Sequence, residues 1–357
     1  AELAVEDINA AGGIKLPGGN LKIRLITADA GENPEKAKNA AQRVVAEYPN
    51  LIGGTGAWLS SFTLAVTEVT ERAGVPWLTL SFADAITNRG FKYVFQTSAT
   101  AGAMSGMTLD MVLDLAKSAT GQSPKRVGFL ADNTAAPTGF LKPLRDELLK
   151  SKGIELVVDE IFTPPLADAT ASVQRVRSAR PDMMFVYPTA TPDIKSVMEK
   201  FKEFNLDRGR LPLIGNGAQF GTPELLNVTS KDLLEGFMFT TANWAVKGQE
   251  ELINRFKQKT KEPWMTQDSI ATYADLWVFK TAMEMAGSAD KEKVAQALRQ
   301  IDTTDGAAKY YAGGRLKFDE KGRRVGATLY ALQWQGGVPV AVFPPASAQA
   351  APIWPKR

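Results

Sequence analysis

The chain has 357 residues, 44% apolar and 23% charged, with a net charge of only +3, the profile of an ordinary globular protein too long for one small core. With no histidine and no cysteine it excludes a Ser-His-Asp triad, a thiol nucleophile, an imidazole acid or base and a Cys/His zinc site. No cluster of Lys and Arg interleaves with aromatics, so nucleic-acid binding is not expected, and no run of about 18 apolar residues predicts a membrane-spanning helix.

In chain order, residues 1–10 read as an amphipathic helix with Leu3, Ala4, Ile8 and Ala11 on one side, stopped by Gly12 and Gly13. A chain that opens inside a helix is expected to lack a front segment carrying an apolar strand and any export signal. Residues 21–28 alternate and predict a half-buried strand, and Pro34 starts a helix to about Glu47. Next comes LIGGTGAWLSSFTLAVTEVTERAGVPWLTLSFAD, residues 51–84, read as strand, glycine-rich turn, helix, strand and polar turn. Gly53, Gly54 and Gly56 allow the turn, and Phe62, Ala65, Val66, Val69 and Ala73 recur at helical spacing. A serine at a helix start either caps the backbone or joins the first N–H groups in holding an anion. Spacing alone leaves Ser60 and Ser61 open to both.

Residues 93–97 predict a short strand and 102–119 a helix whose methionines fill the core. Residues 121–124 form a glycine, serine and proline break. Beyond it strands at 127–131, 154–162, 183–187, 211–215 and 236–241 alternate with helices at 139–152, 170–179, 192–204 and 223–226. That alternation predicts parallel sheets with right-handed crossovers. Helices at 249–259, 267–286 and 291–301 follow, then short strands within 313–318 and 328–343, and a Pro- and Ala-rich tail at 344–357.

Several strands run into small polar turns: Ser81 to Asp84, Asp132 to Thr134, Pro188 to Thr191, and Asn216 to Gln219. In open α/β sheets ligands bind beyond the carboxyl ends of strands, so these turns are candidate site walls, although each residue is also an ordinary turn former. The candidate ligand-binding residues are Trp58, Ser60, Ser61, Ser81, Phe82, Asn133, Tyr187, Thr189, Asn216 and Gln219. Phe220 and Trp244, with Trp58, Phe82 and Tyr187, suggest flat aromatic walls. No catalytic residue, metal site or cofactor is expected. Gly54 and Gly56 are spaced as in a dinucleotide fingerprint, but Leu59 occupies the third glycine position, which argues against a nucleotide-dependent enzyme.

The segments AELAVEDINAAGGI, IGGTGAWLSS, RAGVPWLTLSFADAITNRGFKYVFQTSAT and GRLKFDEKGR, in this order over nearly the whole chain, resemble type I periplasmic solute-binding proteins of the branched-chain amino-acid (leucine/isoleucine/valine-binding protein-like) ABC transporter family. The resemblance implies an α/β, two-lobe fold, each lobe a mostly parallel sheet flanked by helices, with three hinge crossings. It would place one lobe at 1–121 plus 245–325 and the other at 122–244 plus 326–357. It further implies a small-molecule ligand held in the inter-lobe cleft by hinge closure, membrane permease subunits as partners, and a periplasmic location. Ser60 falls where the amino-acid binders use a helix-start serine for the ligand carboxylate, and Trp58 where they place an apolar residue over the side chain. Ser81 and Phe82 lie in the turn that gives the family a backbone carbonyl and a hydroxyl. Two positions depart from the family. Its ligand-facing tyrosine has only Tyr187, just before the turn PTAT, as a counterpart, and its ammonium-binding glutamate is replaced by GNGAQ, which carries no acid.

A buried ammonium without a carboxylate is strongly unfavourable. The expected ligand is therefore a small carboxylic acid with an aromatic body, such as a benzoate or cinnamate relative. The alternatives are a hydrophobic amino acid, with Asp84 or Asp268 holding the ammonium, or a cytoplasmic amide-type sensor of the same fold.

Overall fold

The computed structural model describes residues 1–207 and 211–354. Its chain forms two compact units, Ala1–Thr100 with Gln267–Thr328, and Ala101–Thr266 with Leu329–Arg357, and passes between them three times.

In the first unit, helix Glu2–Ala10 buries Ala4 and Ile8, and a hairpin pairs Ile14–Leu16 with Gly19–Leu21. Helix Pro34–Glu47 begins where the sequence predicts, because Asn33 accepts the Lys36 amide at 2.9 Å and Pro34 supplies a helical φ without needing its N–H. Three parallel strands follow in the order Gly54–Thr55, Trp77–Thr79, Val94–Gln96. Helix Ser60–Arg72 crosses between the first two, with Val66, Thr67 and Thr70 buried. The strand expected over 21–28 is not formed beyond Leu21. Residues 22–28 pair with no strand among the described residues, and the Asn9 side chain takes both main-chain groups of Ile23. A strand's backbone needs a neighbour along its length, and alternation in the sequence does not supply one.

The second unit is built on a seven-stranded sheet in the order Val338–Phe343, Tyr330–Gln335, Met238–Thr241, Leu213–Asn216, Met183–Tyr187, Arg126–Asp132, Glu155–Phe162. The last five run parallel and the first two join antiparallel. Met183–Tyr187 is buried throughout, the pattern of a central parallel strand covered on both faces. Phe140 packs edge-on against Phe185 and Tyr187 there, with centroids at 5.8 and 5.7 Å.

Helix Ala101–Thr120 belongs to this second unit rather than to the first lobe expected at 1–121. It packs on helix Ala135–Pro143, and Thr108 Oγ1 lies 3.0 Å from Thr240 Oγ1. The stretch after residue 245 groups here too. Trp264 donates its indole N–H to the Gly221 carbonyl at 2.7 Å and meets the Trp334 ring at 5.6 Å. The C-terminal tail is tied to the second strand of this sheet: Gln333 bonds both main-chain groups of Ile353, and Gln335 bonds the Ala351 carbonyl. The final three residues of the expected tail, 355–357, lie outside the described residues.

Candidate functional site

In the first unit the glycine-rich turn leaves strand Gly54–Thr55 through Gly56 at φ +111° and Ala57 at φ +51°. A left-handed non-glycine residue costs about 1–2 kcal/mol, so something must hold Ala57 there. Thr63 donates to the Ala57 carbonyl, Ser81 Oγ donates to the Trp58 carbonyl at 2.7 Å, and the two hydroxyls lie 2.7 Å apart. The Ser81 carbonyl in turn accepts from Gln96 Nε2 at 2.7 Å and Ser98 Oγ at 3.0 Å. Ser81 is thus a buried support of the turn, with its hydroxyl and carbonyl both engaged. Thr63, Gln96 and Ser98, absent from the sequence reading, share that work.

Neither serine caps the helix. Leu59 is the cap residue, with no side-chain bond, and Ser60 is the first helical residue. The Leu59 carbonyl takes the amides of Phe62 and Thr63, which leaves the amides of Ser60 and Ser61 as open donors. Ser60 is 6% exposed, and its Oγ accepts the Ala83 amide at 3.1 Å, tying the helix start to the turn after strand Trp77–Thr79. The Ser61 side chain faces elsewhere. It lines a surface groove of about 550 Å³ with Pro34, Lys38, Gln42, Leu64 and Glu68. Adjacent helical residues point about 100° apart, so one helix start cannot aim both hydroxyls at one ligand. Trp58 is 48% exposed, whereas Phe82 is buried.

In the second unit Asn133 is exposed; its Nδ2 donates to Thr163 Oγ1 at 2.8 Å and its amide to the Phe162 carbonyl, so it serves the sheet edge. Thr189 directs both its amide (2.7 Å) and its hydroxyl (2.6 Å) to Asp132 Oδ2. Tyr187 is 2% exposed, and its phenol makes no side-chain hydrogen bond among the described residues. Burial, and to a smaller extent Asp132, push that phenol well above its usual range, so it stays a donor. Asn216 donates from Nδ2 to Thr240 Oγ1 at 2.8 Å and keeps a buried Oδ1 without a partner among the described residues. Gln219 donates from Nε2 to the carbonyls of Pro188 (3.1 Å) and Asn216 (3.2 Å). Phe220 and Trp244 are not walls of a site. Both pack into the core, Phe220 against Phe237 at 5.2 Å and Trp244 against Phe239 at 6.1 Å. Their neighbours Gly215 and Gly221 leave the space those rings fill.

Strand-end polar turns therefore occur in both units, at the ends of parallel strands crossed by helices. The sequence profile described as periplasmic binding protein matches residues 1–338. The chain belongs to the periplasmic binding protein family. A curated relative, Leu/Ile/Val-binding protein homolog 8 of Brucella melitensis biotype 1, is 26% identical over 361 residues, spanning 98% of this chain and 86% of the relative. Among solved structures, the branched-chain amino acid transporter substrate binding protein LivJ from Streptococcus pneumoniae, in complex with isoleucine, superposes with a TM-score of 0.78. It is 20% identical and the match covers 96% of this chain and 92% of LivJ. A solute binding protein of an ABC transporter from Rhodopseudomonas palustris BisB5, in complex with 3,4-dihydroxy benzoic acid, gives 0.74 at 22% identity, covering 95% and 90%.

For a periplasmic binding protein, whose task is to hold a solute, the acids of the first unit matter. Asp84 is engaged with Arg323, whose guanidinium lies 3.7 Å from its Oδ1 and bonds its carbonyl at 3.1 Å. Among the described residues Asp268 has a buried Oδ1 without a partner, and burial pushes its carboxyl up to about 6 against the pull of a bond from the Gln267 side chain. Asp275, another group the sequence reading passed over, lies fully buried. It accepts from Thr55 Oγ1 and Tyr311 Oη, both at 2.6 Å, and burial raises it to about 6 against the pull of those donors. It grounds the strand from which the glycine-rich turn departs. Among the described residues no helix is long and apolar enough to cross a membrane.

Proposed function

We propose that this chain is the periplasmic solute-binding subunit of an ABC importer, with no catalytic step of its own. It takes a small carboxylic acid with an aromatic body, closes two lobes on it about hinge crossings, and docks on permease subunits. One observation carries the ligand class. Open amides and the buried Ser60 hydroxyl at the start of helix Ser60–Arg72 suit a carboxylate, while the Asn216–Gln219 turn offers amide groups and no acid. A structural relative of similar fold holds 3,4-dihydroxy benzoic acid, which supports a site of this chemistry on such a fold. The exposed indole of Trp58 and the phenol of Tyr187 suit a flat body with a hydroxyl.

A second reading is a hydrophobic amino acid, favoured by the unpartnered buried oxygen of Asp268, which an ammonium would satisfy. Asp84, already paired with Arg323, is the weaker candidate for that role. A thermal-shift panel separates the readings. Hydroxylated benzoates and cinnamates should raise the unfolding midpoint, and leucine, isoleucine and phenylalanine should not. Stabilisation by the amino acids alone selects the second reading. Small-angle scattering with and without saturating ligand tests closure, which requires a more compact bound form.

A further inference from the structure

We propose that Asp132 is a positioning residue for ligand capture: one buried carboxylate that locks the turns after two neighbouring strands into a single unit. Asp132 ends strand Arg126–Asp132 and is 1% exposed. Its Oδ1 accepts the Thr134 amide at 2.9 Å and the Thr134 hydroxyl at 2.6 Å. Its Oδ2 accepts the Thr189 amide at 2.7 Å and the Thr189 hydroxyl at 2.6 Å. Thr189 lies two residues beyond Tyr187, on the strand that pairs directly with Arg126–Asp132.

The four donors come from two turns separated by 55 residues of sequence, and all converge on one side chain. An ionised carboxylate accepts on both oxygens, so it suits this arrangement, and no neutral side chain of its size does. Without it two amides and two hydroxyls would need new partners at once. The clamp also accounts for Thr189, which turns its polar groups inward rather than toward a solute. What it fixes is the chain entering and leaving Pro188, whose carbonyl receives Gln219, and therefore the setting of both Tyr187 and Gln219. The role in capture rests on the solute-binding reading above; the mechanical coupling of the two turns does not.

The test uses the full chain with Asp132→Asn, Thr189→Val and Thr189→Ser. Asparagine keeps one acceptor and presents an NH2 to the other turn, so it breaks one side of the clamp. Thr189→Val deletes only the hydroxyl bond at nearly constant shape, and Thr189→Ser restores it. In the ligand-free protein, Thr189→Val should speed amide exchange severalfold in segments 187–191 and 133–137 together. Asp132→Asn should do so tenfold or more, and Thr189→Ser should match the parent. By calorimetry with 3,4-dihydroxybenzoate and isoleucine as probes, Thr189→Val should weaken whichever probe the parent binds about fivefold, and Thr189→Ser should restore the parent affinity. Faster exchange confined to 187–191, or unchanged affinity in both variants, would overturn the proposal. A parent that binds neither probe refutes the ligand class argued above, and the exchange data then judge the coupling alone.

Discussion

The turns at 57–61 and at 187–189 each set an aromatic ring beside a hydroxyl residue, yet they have opposite hydrogen-bond economies. At 57–61 the buried hydroxyls of Thr63 and Ser81 hold the backbone from behind, and the amides of Ser60 and Ser61 are left open at the helix start. At 187–189 the threonine amide and hydroxyl both turn inward onto Asp132, while the phenol of Tyr187 makes no hydrogen bond among the described residues. A polar residue after a strand is thus available to a ligand only when no buried carboxylate has already claimed it. The carboxylate of the first unit, Asp275, reaches Thr55 on the strand before the turn, so it steadies the turn without occupying its donors.

The largest effect expected of that contrast concerns Asp275. Its folded value is raised from 3.8 to about 6, so between those values the folded protein keeps a proton that the unfolded chain has released. Stability conferred by this group must then fall as pH rises from about 4 to 6, by about 3 kcal/mol, and level off above. Urea unfolding of Asp275→Asn across this window should show a correspondingly flatter dependence than the parent. Equal slopes would mean that Thr55 and Tyr311 hold the carboxylate ionised at little cost.

Next in size is the separation of the two serines. Hydrogen bonds to a charged group contribute about 1.5–3 kcal/mol, so Ser60→Ala should weaken carboxylate binding roughly ten- to a hundredfold in calorimetry. Ser61→Ala should change it less than about twofold, because that side chain lines the groove against helix Pro34–Glu47. Equal losses at both positions would show that the hydroxyls, not the amides and Ser60, make the anchor.

These two expectations also mark what the sequence discloses. Helices Pro34–Glu47, Thr170–Ala179 and Gln267–Ala286 have the bounds that pattern and capping predict, since the forces that set them act within a few residues. Glycine, polar turn residues and strand order likewise point to the strand ends where a site belongs. What stays hidden is direction and long-range pairing. Thr55 and Asp275 are 220 residues apart, and Asp132 and Thr189 are 57 apart, so no local pattern reveals either bond. The Asp-x-Thr spacing at 132–134 was the available hint, a side chain closing its own turn, but it discloses only half of what Asp132 does. Phe220 and Trp244 misled for the related reason that lying beside a turn does not fix which way a ring points.

Smaller effects refine the same contrast. Trp58→Ala should cost an aromatic ligand about 0.5–1.5 kcal/mol, a roughly two- to tenfold loss, and cost a small aliphatic acid much less. Asn133→Ala, removing an exposed amide bonded to Thr163, should leave affinity for either within about twofold. A larger loss there would place the edge strand Glu155–Phe162 in contact with the solute.

The exposure of Trp58 has a practical corollary. Trp334 and Trp244 are sealed in the second unit, and no other tryptophan reaches the 48% exposure of Trp58. A soluble quencher such as iodide should therefore extinguish one emission component first, and Trp58→Phe should abolish that component. The chain carries a built-in optical reporter on the turn beside its candidate anchor, so occupancy could be followed by fluorescence without attaching a dye.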